Sequence, residues 1–226
     1  MRDSEGLAPA PQRLWDLPTR LTHGLLVALF AFSWWSGKNG ELAWHRWSGY
    51  AVLVLLLFRI AWGFVGSSTA RFASFVRGPR AVGAYARRLF ARPAAPSPGH
   101  NPMGGWSVLA LLALLLLQVG SGLFAVDTDG IESGPLARHV SFSAGRSFAR
   151  IHALSFDALL ALVGLHVAAV LFYLVWHRDN LITAMIGGRR RLPPAAAAAL
   201  RFAGPGRAVL VLAIAAGAVA LLVSFA

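Results

Sequence analysis

The sequence predicts an all-α membrane protein, a four-helix transmembrane bundle with a fifth transmembrane helix appended. Three observations carry this. The chain has 226 residues, of which 57% are hydrophobic and 13% charged, a balance foreign to soluble domains. Five apolar segments, 18–37, 43–64, 105–126, 147–176 and 207–225, are each about long enough to cross a hydrocarbon core of about 30 Å. Arginines gather in alternate connections, as the positive-inside rule expects.

Taken in order, the first segment resembles a signal peptide only in position. Its flank is mixed in charge, no small-residue cleavage pattern follows it, and His23 lies within it. Arg2, Arg13 and Arg20 place residues 1–17 in the cytoplasm. The connection 66–104 carries Arg71, Arg77, Arg80, Arg87, Arg88 and Arg92 and belongs on the same side. Within it an amphipathic helix is expected over 79–90, with Pro79 at the first helical position and Val82, Tyr85, Leu89 and Phe90 at helical spacing. The connection 127–146 holds Asp127, Asp129 and Glu132 and belongs outside. The stretch 181–206, rich in glycine, proline, alanine and arginine, reads as a cytoplasmic linker after a core spanning 18–180. Segment 207–226 has no histidine or acid and many small residues, so it is expected to be a packing helix that ends outside.

Composition also excludes. With no cysteine, there is no disulfide, thiolate chemistry, cysteine-held cluster or C-x-x-C-H attachment of haem. The formal charge of +12 is sorted by loop, so its partner is the anionic head groups of a lipid bilayer and not nucleic acid.

The chemistry lies in four histidines. His152 and His166 share one segment at a separation of fourteen residues, about 3.9 helical turns, so both rings face one way roughly 21 Å apart. By depth, His23 lies near the inner surface with His166, and His45 near the outer surface with His152. Two pairs at two depths suit two six-coordinate haem irons stacked in a bundle core, where helical bundles hold cofactors. A zinc centre wants three or four ligands in one place. A proton relay needs carboxylates, and Asp157, the one acid well inside a span, lies about 140° round the helix from His152. Gly49, Gly120 and Gly122 either admit a porphyrin or serve ordinary helix packing. Arg59, fourteen residues beyond His45, either pairs with a haem propionate or snorkels to the interface. Arg20 and Arg150, close to His23 and His152, are candidates of the same kind.

Several runs, in order, resemble the bacterial cytochrome b561 family and the cytochrome b subunits of nickel–iron hydrogenases. They are Trp15-Asp16-Leu17-Pro18-Thr19-Arg20 before His23, His45-Arg46-Trp47-Ser48-Gly49-Tyr50, Phe58-Arg59-Ile60-Ala61-Trp62-Gly63-Phe64-Val65-Gly66, Phe75-Val76-Arg77-Gly78-Pro79, and Gly99-His100-Asn101-Pro102 with Gly104-Gly105, closing with His152 and His166. The resemblance covers about residues 13–188 and leaves out the last span. It implies a bacterial inner-membrane cytochrome with two haem b groups, whose axial ligands are His23, His45, His152 and His166. It also implies electron exchange with membrane quinone, a quinone/quinol oxidoreductase activity, and a periplasmic partner, either a cytochrome c or a hydrogenase or dehydrogenase subunit. His100, Asn101 and His139 are the candidate quinone contacts; Asn101 with its proline reads equally as a helix cap. His177 reads as an interfacial anchor. The competing functions are a histidine-based metal or proton transporter and a non-redox membrane anchor for a partner enzyme.

Overall fold

The computed structural model describes residues 11–92, 99–129 and 132–225. Most of it is helix: α1 (Leu17–Lys38), α2 (Leu42–Val65), α3 (Phe72–Phe75), α4 (Pro79–Ala86), α5 (Pro102–Phe124), α6 (Phe142–Val175), α7 (Leu181–Gly187), α8 (Pro194–Ala198) and α9 (Pro205–Ser224), with a 3-10 turn at Ala137–His139. Local chemistry sets where several begin. The side chains of Asp16, Asn101, Ser141 and Asn180 accept from the backbone N–H of Thr19, Gly104, Ala144 and Thr183 and so cap α1, α5, α6 and α7.

Four helices, α2, α5, α6 and α9, are long and apolar enough to cross a membrane. The sequence suggested five. Helix α1 is as long, at 22 residues, but Arg20, His23, Lys38 and its threonines and serines dilute its hydropathy. Helix α6 has 34 residues, about 51 Å, so it outreaches a hydrocarbon core of about 30 Å. The apolar surface left open on these helices, Val27, Trp47, Leu165 and Val209 among others, is what lipid rather than water requires.

The long helices form two hairpins. Helix α1 packs along α2 and α5 along α6; α2 touches α5, and α9 lies along α2. Helix α2 is thus the most enclosed of the four, and α6 and α9 are the most open. Leu53 meets Leu123 and Val219 in one small core, and Phe58 and Trp62 meet Ala70 and Ala215 in another. Neither α1 nor α2 packs closely along α6, which leaves a slot between the hairpins.

The end of the bundle where α1 begins is closed by a clasp. Strands β1 (Gln12–Arg13) and β2 (Arg189–Arg190) pair antiparallel, and the N–H groups of Leu14 and Trp15 donate to Gly188 O. Leu14, Trp15, Ala184 and Leu192 form a core beneath it. The stretch 181–206 is therefore folded and more than a linker. Asn180 starts α7 and Gly188, at φ +73°, ends it in the left-handed region. The expected helix 79–90 stops at Ala86, because the backbone tightens there to i→i+3 bonds, Arg88 N to Tyr85 O and Leu89 N to Ala86 O; beyond it Leu89 O faces His177 Nε2 at 2.9 Å and Phe90 O accepts from Trp176 Nε1 at 3.2 Å.

Candidate functional site

The slot carries the histidines. The ring centres of His45 and His152 are 5.9 Å apart at an interplanar angle of 86°, and those of His23 and His166 are 6.4 Å apart at 55°. Two imidazoles on opposite sides of one metal, with bonds of about 2.0 Å, hold their ring centres about 6 Å apart. Both pairs meet that requirement. Among the described residues no three histidine, aspartate or glutamate side chains gather as a metal site, so a metal here would take two protein ligands at each level and the rest from a carrier such as a porphyrin.

The pair nearer the 127–146 loop is oriented by hydrogen bonds. His45 Nδ1 donates to Ser33 O and His152 Nδ1 to Gln118 O, each at 2.8 Å. A ring whose Nδ1 donates presents the Nε2 lone pair to a metal, and the bond fixes the ring's tautomer and direction. Close backbone makes room for both rings: a Cβ added at Gly37 would lie 3.0 Å from His45 Nδ1, and one at Gly122 2.9 Å from His152 Cε1. At Gly49 and Gly120 an added Cβ meets nothing within 4 Å, so these two border open space. Gln118 Nε2 stands 3.1 Å from His152 Nε2 and 3.3 Å from Nδ1, nearly equidistant from the two ring nitrogens and so off the axis of the Nε2 lone pair, while its Oε1 accepts from Ser155.

Arg59 is 7% exposed. Its Nη1 donates to Ala70 O at 3.3 Å and its guanidinium lies 5.4 Å from the Phe72 ring centre, with no ion-pair partner among the described residues. A buried guanidinium with donors to spare suits a carboxylate brought by a ligand. Arg20 is engaged otherwise: its Nε donates to Met185 O at 3.2 Å and its Nη2 to Ile186 O, at the end of α7. Arg150 is exposed on α6.

His100 packs its ring 4.9 Å from Trp15 and 4.6 Å from Phe75, with Nδ1 sealed and unpartnered. Burial, aided by the Arg59 charge, pushes its imidazole down to about 3, so it stays neutral. Asn101 does two things: its Oδ1 caps α5 and its Nδ2 donates to Tyr173 Oη at 2.8 Å. Tyr173 Oη also meets Tyr85 Oη. His139 sits in the 3-10 turn of the 127–146 loop, its Nε2 accepting from Arg138 at 3.3 Å. Of the acids in that loop, Glu132 pairs with Arg46 and Asp127 accepts from Glu132 N at 3.2 Å. Asp157 is exposed on the side of α6 away from the slot.

Sequence reasoning missed Ser33, Gly37, Gln118, Tyr85 and Tyr173. Gln118 left a signal, since an amide within an otherwise apolar span is costly unless it has partners. Ser33 and Gly37 left none, because a backbone carbonyl or a glycine acts here through position and not through residue type, and Tyr85 and Tyr173 act only through the packing that brings their hydroxyls together.

The family model of prokaryotic cytochrome b561 matches residues 14–188, and the chain belongs to that family. No curated protein and no solved structure matches the chain.

Proposed function

We propose that this member of the prokaryotic cytochrome b561 family, a membrane cytochrome b of electron transfer, holds two haem b groups one above the other and carries electrons between membrane quinone and a periplasmic redox partner. The carrying observation is the pair of imidazole couples facing each other across the slot at about the separation that a shared iron needs. In this reading α1 also spans the bilayer, the chain lies in the bacterial inner membrane with its N-terminus in the cytoplasm, and α9 ends outside. The arginines of 66–104 and 181–206 support that orientation.

His45 with His152, and His23 with His166, would each hold a haem, which when bound would supply one-electron chemistry. The chain's residues do the rest. Ser33 O and Gln118 O hold His45 and His152 with Nε2 turned to the slot and make those imidazoles more electron-donating. His23 and His166 hold the inner haem, and Arg59 offers its free donors to a propionate. Quinone docks at the inner end, where neutral His100 immediately precedes Asn101, the first member of the Asn101–Tyr173–Tyr85 chain of hydrogen bonds. The partner is a periplasmic cytochrome c or a hydrogenase or dehydrogenase subunit.

The test is a reduced-minus-oxidised visible spectrum of purified protein with haem quantified per chain, followed by addition of quinol. A b-type spectrum, about two haems per chain and reduction by quinol are expected. Colourless protein that accumulates metal in proteoliposomes would overturn the reading. Gly122→Ala is expected to lower the haem content of the outer site, because the added methyl meets the His152 ring at 2.9 Å and that ring is held in place by Gln118 O. Unchanged haem stoichiometry in Gly122→Ala would show that the ring has freedom to yield.

A further inference from the structure

We propose that the groove between the end of α2 and the start of α9 binds an anionic phospholipid. The groove has a volume of about 410 Å3 and is lined by Phe64, Val65, Leu210 and Val211 together with two arginines, Arg71 and Arg207. Arg207 Nη1 donates to Val65 O at 3.1 Å, which anchors the guanidinium beside the groove and leaves its other donors available. The Arg71 side chain has no hydrogen-bond or ion-pair partner among the described residues; the two ion pairs there, Arg46–Glu132 and Arg190–Asp179, involve neither arginine. Two positive charges thus border an apolar trough, with no carboxylate paired to them among the described residues.

The occupant follows from the mixed lining. A guanidinium matches phosphate geometry with paired donors. The Gly204 N-cap supplies no side chain to the first turn of α9, so the N–H groups there add to the positive potential. Phe64 and Leu210 stand 67% and 60% exposed and offer an acyl chain a surface that water would not favour. A zwitterionic lipid brings an ammonium that two arginines repel, and free phosphate brings no chain to fill the trough. Phosphate and tail together specify the ligand. Helix α9 lies beyond the residues the family model matches, while Phe64, Val65 and Arg71 lie within them, so the groove is formed where α9 is added to the family core, and it does not depend on the haem reading.

The probe is phosphatidylglycerol added to the detergent-purified full chain, followed by native mass spectrometry and thermal unfolding, with phosphatidylcholine and inorganic phosphate as parallel arms. Retained phosphatidylglycerol and a raised Tm are expected, with neither from the other two. Replacing both arginines (Arg71→Gln with Arg207→Gln) should weaken retention about thirtyfold, from the contribution of each interfacial arginine to anionic lipid binding. Should the double variant fold poorly, Arg71→Gln alone, at an exposed residue without partners, should still weaken retention several-fold. Equal retention of both lipids, equal stabilisation by inorganic phosphate, or undiminished retention in Arg71→Gln would each overturn the proposal.

Discussion

Alanine in place of His166 is expected to halve the haem of the purified protein, and alanine in place of His152 to halve it by loss of the other group. The proposed assignment makes each helix-α6 histidine half of one couple: His166 faces His23, and His152 faces His45. Removal of one imidazole would leave a bound iron a single protein ligand, and a bond such as His45 Nδ1 to Ser33 O orients the remaining ring without replacing what is gone. The double variant should be colourless, since no third histidine, aspartate or glutamate stands close enough among the described residues to substitute. Pyridine haemochrome assay against protein concentration reads the ratio, about two in the parent, about one in each single variant and near zero in the double. Two haems remaining in either single variant would refute the pairing across the slot.

The second large effect is on stability and concerns no histidine. Asp16 is 1% exposed and does two jobs: Oδ1 accepts from Thr19 N at 2.8 Å, capping α1, and Oδ2 accepts from Trp62 Nε1 at 3.0 Å. Trp62 is fully buried. In Asp16→Ala the helix loses its cap, at about 1 kcal/mol. The indole N–H is left without a partner inside the protein, at about 1–3 kcal/mol. A total of about 2–4 kcal/mol corresponds to a fall in Tm of roughly 5–10 °C for a chain of this size. Circular dichroism during heating measures it. Asp16→Asn keeps one acceptor oxygen and puts an amide N–H2 in place of the other, so it can restore the cap or the indole bond but not both and should recover only part of the loss. If alanine and asparagine behave alike and match the parent, the carboxylate is not what joins α1 to α2.

The sequence exposes what depends on residue type and periodicity, and hides what depends on backbone placement. The long helices were legible because their apolar runs are about as long as a bilayer is thick, and the histidine levels because fourteen residues bring a helix back to the same face. The boundary of α4 was not, since after Ala86 the backbone tightens to the bonds Arg88 N to Tyr85 O and Leu89 N to Ala86 O, which the spacing of Val82 and Tyr85 cannot anticipate. The stretch 181–206 read as a linker because alanine, proline and glycine carry weak local signals, while its folding comes from docking against Leu14 and Trp15. Arg20 illustrates the same limit within the candidate site. Proximity to His23 in sequence suggested a propionate partner, yet its donors go to the carbonyls of Met185 and Ile186, residues far away along the chain. Gln118 was the opposite case, a residue whose oddity in an apolar span was visible and whose contact with His152 only coordinates could supply.

The clasp of Gln12–Arg13 on Arg189–Arg190 lies just outside the two limits of the family match at residues 14 and 188. Leu14 N bonds directly to Gly188 O, so the polypeptide of the shared module leaves almost where it entered and traces a nearly closed ring. Whatever follows Gly188 hangs from that junction as a pendant. An additional helix can be hung there, or left off, without rethreading any part of the ring, and α9 is such an addition.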